Sequence, residues 1–250
     1  MTKLINARQL LTTCEESSGS GEYISDIKIT GENVENFSFN VKGFKNCSFS
    51  EIQWRDVTLE NIQFIDCSFK SSNFIDCSLD DSCFLNCDFD ETNFHSTEAT
   101  GTKFLNCKIS KSNFHQINLY KTEWNEVLFK GVNFEECLLK RALIMDSEGA
   151  ESKFSNCKIE WTKFDSSDLS SATFKKTYLD SVHFRLCDLR KSLGVEVVVS
   201  NCIIKNSIEQ SSSGLLTPDW LKSLTFKWRA GKNYNRANDA SRRHIILSSF

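Results

Sequence analysis

The chain has 250 residues, enough for one large domain or two small ones, and carries 30 Lys and Arg against 33 Asp and Glu. That near-balance argues against a nucleic-acid binder, and the 40% hydrophobic content with 20 Phe excludes disorder over most of the length. One Pro and 10 Gly exclude collagen-like and Pro-rich linker architectures.

No run of 18 apolar residues is present to form a transmembrane helix. Residues 1–11 (MTKLINARQLL) lack the apolar stretch and cleavage site of a secretory signal. The expectation is a cytoplasmic protein without membrane contact, with a secreted effector as the alternative. Residues 1–23 read as an N-terminal cap, with a short helix carried by Leu4, Ile5, Leu10 and Leu11 and a flexible ESSGSGE stretch after it.

From residue 24 to 208 the sequence repeats every five residues. Positions 29, 34, 39 and onward to 204 make 36 sites, and they hold 17 of the 20 Phe. The remaining sites are aliphatic or Trp, apart from Gly149 and Gly194. Two residues earlier, from Cys47 to Cys202, 32 consecutive sites hold only Cys, Ser, Thr, Val, Ile or Ala. A helix repeats apolar residues at three and four, and a simple strand alternates at two, so neither fits. A strict five with two inward positions (i−2 and i) needs a chain that turns after every unit, and four units return it to its start. Columns spaced by 20 support that count. One reads Leu59, Leu79, Ala99, Leu119, Leu139; another reads Phe44, Phe64, Phe84, Phe104, Trp124. Like residues stacked on like in successive coils select such columns.

Stretches such as SNFID, CSFKS, SNFHQ and SATFK resemble the pentapeptide-repeat family, and the resemblance runs over residues 24–208 without an insertion. It implies an all-β solenoid, a right-handed quadrilateral β-helix of pentapeptide repeats. Some members of the family look like duplex DNA in width and charge, and bind and protect type II topoisomerases such as gyrase. This chain departs from the quinolone-resistance members: no register break marks their projecting loops, and the negative charge covers only half the rod.

Nine of the 11 Cys occupy the small inward i−2 site, which reads as a packing role rather than a disulfide or metal role. Cys83, outward, and Cys14, in the N-terminal segment, are expected to be the more reactive pair. His95, His115 and Glu135 share an outward column, but ladder neighbours stand parallel and do not converge on one ion. No GxSxG, HExxH, P-loop or CxxC motif occurs in the rod, so catalysis and a cofactor are not expected. Gly149 and Gly194 leave inward sites empty and predict local loosening near residues 146–151.

Residues 51–100 hold 11 acidic against 2 basic side chains, a net of −9, whereas residues 101–205 hold 13 against 16, a net of +3. Asp56, Asp66, Asp76, Asp80, Asp81, Asp88, Asp90 and Glu91 are the candidate partner-binding acidic face. The leading expectation is a non-catalytic, DNA-mimicking rod that binds DNA gyrase or topoisomerase IV, with no direct DNA binding by the rod itself. The alternative is a general scaffold or secreted effector that docks partner proteins through its faces and termini. After a linker at 209–214, Thr217-Pro218-Asp219 opens an expected helix in the basic segment 215–250. Its apolar stripe, Trp220, Leu221, Leu224 and Trp228, is expected to cap the rod or to join two copies as a homodimer.

Overall fold

Each five-residue unit is a short extended piece followed by a corner. Residues i−1 to i+1 form the strand, and i+2 turns the chain with a positive φ. All 32 non-glycine residues with positive φ, from Asp26 to Asn201, occupy this corner, with φ between 47° and 62°. The left-handed conformation costs an ordinary L-residue about 1–2 kcal/mol, and Asn and Asp least, which is why those residues crowd the corners. Trp161 and Leu186 are the two apolar corner residues in this set.

The computed structural model describes residues 2–19, 21–205 and 207. Over them the chain is a four-sided parallel β-solenoid of about ten turns with one short helix. Register joins residues 20 apart, as in Phe64, Phe84 and Phe104 on the first side and Phe74, Phe94 and Phe114 on the third. The first side is a ladder of ten strands and the third one of nine. The second side (Phe49 column) and fourth side (Leu59 column) hold three and four strands, continued by single bridges such as Ser68 to Asp88 and Ser78 to Glu98. At about 4.8 Å per layer, ten turns give a rod of roughly 45 Å.

Inside, each ring meets its copies above and below and its neighbours around the coil. Phe64 and Phe84 stack at 4.8 Å and 6°, while Phe84 meets Phe89 edge-on at 5.0 Å and 77°. Both geometries are favourable for aromatic quadrupoles. The i−2 site has a second requirement that the pattern alone did not reveal. The hydroxyls of Ser72, Thr92 and Ser112 donate to the carbonyls of Phe49, Phe69 and Phe89 in the coil below, at 2.7–2.8 Å. Cys87 makes the same contact to the Phe64 carbonyl at 3.4 Å. Small donors therefore add a second bond to buried carbonyls, since those of Phe69 and Phe89 also accept the backbone N–H of Ser72 and Thr92. All 11 cysteines are free. Burial pushes the Cys77 thiol up to about 11 and those of Cys187 and Cys202 up to about 12, so they stay neutral.

Three expectations need correction here. The N-terminal helix runs Ala7–Glu16, while Lys3–Leu4 is a strand paired with Ile27 and Lys28, leaving Leu4 exposed. The overlooked signal was Asn6 followed by Gln9, a capping box that starts the helix after residue 6. Cys14 lies with Leu10 on the buried face of that helix, and burial lifts its thiol to about 12, so it is not a reactive thiol. Gly149 leaves no vacancy: the Phe129 ring fills its site, and an added Cβ would overlap Phe129 Cε2 and Cζ. A cavity of about 10 Å³ lies against the Phe129 ring, between Trp124, Phe134 and Phe154. The ladder bonds from Asp146 to Glu151 run on without a break. The expected helix with Trp220, Leu221, Leu224 and Trp228, and the linker before it, lie outside the described residues.

Candidate partner-binding surface

Chemistry on this rod is confined to three outward positions per unit: the two flanking the inward residue and the corner. The eight predicted acidic residues do not form one face. Asp66 stands on the corner between the first and second sides, and Asp88 and Asp90 on the second side with Glu91 at its far corner. Asp56 and Asp76 share the corner between the third and fourth sides, Asp80 lies on the fourth, and Asp81 turns the next corner. The acid forms a belt around the lower coils, because successive units point a quarter-turn apart.

The belt is uneven in its pairing. Lys70 meets Asp88 at 2.9 Å, Lys108 meets Asp90 at 3.0 Å and Lys111 meets Glu91 at 3.3 Å, so the second side is largely neutralised. Asp66 accepts from the Asn86 amide at 3.0 Å. The fourth side is different. Asp56, Glu60, Asp76, Asp80, Asp81 and Glu98 occupy three adjacent layers of it with no ion pair among the described residues. Ser78 donates to Glu60 at 2.6 Å, the Thr100 N–H to Asp80 at 2.7 Å and Asn118 to Glu98 at 2.8 Å. Burial, together with the charges of Glu60, Glu98 and Asp81, raises the Asp80 carboxyl above its ordinary value. Glu60 and Glu98 were missed in the sequence; reading the outward columns by twenty, as was done for the inward ones, finds them.

Going up the same side, the first cations are Lys121, Lys140 and Arg141. Lys140 and Lys158 hold Glu160 between them at 3.2 and 2.9 Å, and these bonds lower its carboxyl pKa. Next to this network stands Trp161, 59% exposed on its left-handed corner with φ 54°. The sequence reading did not single it out, although a Trp where Asp, Asn and Ser prevail was visible in the corner column.

The third side is nearly uncharged along its centre. Gln53, Asn73, Asn93, Asn113 and Asn133 form an amide ladder in which each Asn donates to the residue below, at 2.7–3.3 Å. His95 and His115 stack at 4.9 Å and 6°, and His115 Nδ1 lies 3.5 Å from Glu135. The three stand in parallel as ladder neighbours. No group of three His, Cys, Asp or Glu among the described residues is placed to hold a metal ion.

A filled four-sided β-rod with a small residue at i−2 and Phe or Leu at i defines a solenoid built of pentapeptide units. The model for a pentapeptide repeat region matches residues 37–114, and that for pentapeptide repeats in eight copies matches residues 150–191. Over these segments the chain matches pentapeptide-repeat models, and it is similar to the pentapeptide-repeat proteins. Among solved structures it is similar to HetL, a pentapeptide-repeat protein involved in heterocyst differentiation regulation from the cyanobacterium Nostoc sp. strain PCC 7120. The TM-score is 0.53 at 14% identity, covering 84% of this chain and 99% of that one. QnrB1, a plasmid-mediated fluoroquinolone resistance protein, matches at 23% identity and TM-score 0.32, over 74% of this chain and 92% of that one. No curated protein sequence matches the chain.

Proposed function

We propose that the protein is a non-catalytic binding rod whose acidic coils imitate duplex DNA and occupy the DNA-binding groove of a type II topoisomerase, gyrase or topoisomerase IV. The observation that carries this reading is the belt. Residues 51–100, with a net of −9, fill two and a half coils, about 12 Å of rod, or one charge per roughly 1.3 Å. Duplex DNA carries one per about 1.7 Å, also distributed around its circumference. The match in density extends over those coils and stops where the net charge turns to +3. The resemblance drawn from the repeats supplies the class of partner.

The test replaces Asp56, Asp66, Asp76 and Asp81 by Asn together. All four are left-handed corners, where Asn is as comfortable as Asp, so the fold is kept and the charge removed. Binding to the gyrase holoenzyme at low salt should weaken at least about a hundredfold, with an unchanged circular dichroism spectrum. Binding equal to the wild type refutes the mimicry.

Trp161 favours a second reading, a scaffold that docks a partner through the upper coils. An exposed Trp beside fixed cations is the composition of an interface anchor. A Trp161→Ala variant that loses a partner retained by the Asp variant would support this reading over the first.

A further inference from the structure

A charge on a ladder can be cancelled by the layer above or below it, and the second side does this. Its acids and cations alternate along the rod, with Lys70 on Asp88, Lys108 on Asp90 and Lys130 on Glu151. The fourth side segregates them instead. In layers 58–61, 78–81 and 98–101, its outward flanks and the corner that follows hold Glu60, Asp80, Asp81 and Glu98, and no cation. In the next three layers, 118–121, 138–141 and 158–161, the same positions hold Lys121, Lys140, Arg141 and Lys158 against one acid, Glu160. Thr100, Gly101 and Asn118 part the two blocks, so neither neutralises the other within the rod. Asp81 and Arg141 are both exposed and have no ion-pair partner among the described residues.

We propose that the fourth side is an interface with a second copy of this chain, laid antiparallel on the first so that each acidic block meets the other's basic block. Turning a rod end over end about an axis across this face keeps every lateral column in place and exchanges the layers. With that axis between the layers of Thr100 and Tyr120, Asp80 comes opposite Lys140 of the second copy and Asp81 opposite its Arg141, in the same column each time. A parallel arrangement sets acid on acid. The outermost layers contribute contact more than charge. There Glu60 faces Glu160, which Lys140 and Lys158 already hold, and Trp161, 59% exposed, lies over Asn61. Along the far edge Asp76 meets Glu136, both exposed at the rim, where solvent screens them. Six layers at about 4.8 Å and a side of five residues at about 3.3 Å give roughly 460 Å² per partner. That is the size of weak, transient contacts, below the roughly 800 Å² of a standard interface, so the dimer is sensitive to dilution and salt. The proposal rests on neither functional reading above, and it takes only one of the belt's four sides from other partners.

Sedimentation equilibrium of the full chain tests this by exchanging charges. In about 50 mM salt the wild type should dimerise with a dissociation constant on the order of 100 µM, weakening at least about tenfold in about 500 mM salt. Asp80→Lys with Asp81→Lys, and separately Lys140→Glu with Arg141→Glu, should each abolish the dimer. The flank column already holds Glu60 and Lys140, and corners elsewhere accept Lys121 and Glu151, so the coil is kept and the circular dichroism spectrum unchanged. An equimolar mixture of the two variants should recover the wild-type affinity within about threefold, because each reversed block again faces its opposite. One chain carrying all four substitutions should do the same. A wild type that stays monomeric at about 500 µM in low salt overturns the inference. So do variants that associate as the wild type does, or folded variants whose mixture stays monomeric.

Discussion

The lower coils, residues 44–98, and the upper coils, residues 103–205, share one backbone and differ in what they hang on it. Inside, the lower half stacks Phe on Phe in three columns, while the upper half admits Ile109, Ile144, Leu169 and Gly149 at equivalent sites. The ladder absorbs the change because Phe129 moves into the space Gly149 leaves. Outside, the lower half is an acid belt, and the upper half carries paired lysines and an exposed Trp. The inward positions are therefore interchangeable within the limits of volume. The outward ones are freer to record a partner, because they contribute surface ion pairs and amide ladders rather than core packing.

The core contrast gives the largest expected effect. Phe84→Ala should cost about 4 kcal/mol, since it removes a ring stacked on both sides, and Ile159→Ala about 3 kcal/mol. Urea denaturation measures both; equal losses would mean that ring stacking adds nothing to burial. Gly149→Ala comes next, with a loss of about 1–3 kcal/mol from displacing Phe129. A neutral result there would show that the upper core is loosely packed. Trp161→Asn should gain about 1 kcal/mol by relieving the left-handed corner, read as a rise in melting temperature. If stability falls instead, Trp161 is held by contacts that repay its strain.

The smallest effects differ in sign between the halves. Glu160, lowered by its bonds to Lys158 and Lys140, contributes stability above the ordinary carboxylate range and loses it as pH falls through its depressed value. Glu160→Gln should therefore destabilise at neutral pH, by up to about 1 kcal/mol. Asp80 behaves oppositely. Its raised carboxyl favours the folded state in acid, and that benefit is lost as pH rises through the raised value. Asp80→Asn should stabilise slightly at neutral pH and have no effect in acid. Melting temperatures at both pH values check the pair.

Much of the rod was legible because its rule is local. Seventeen Phe in one residue class, and columns such as Phe44, Phe64 and Phe84, state which side chains point inward and how many units close a coil. The acidic candidates were legible as residues and misplaced as a group. Asp56 and Asp88 sit in one stretch of sequence, yet the quarter-turn at each corner sends them to different sides. Glu60, Asp80 and Glu98 stand in adjacent layers of one side although they are spread over 39 residues of sequence.

The amino-acid order by itself determined the solenoid, because a five-residue period with a filled interior has one solution: strands that turn at every corner and pair with copies of themselves. Only the tertiary structure decided which charges neutralise one another. Asp88 finds Lys70, eighteen residues away, and Asp90 finds Lys108, while Asp56, Asp76 and Asp81 have no ion-pair partner among the described residues. A charged side chain senses its neighbours through space over a few ångströms, and in a coil those neighbours come from the layers above and below rather than from the adjoining sequence.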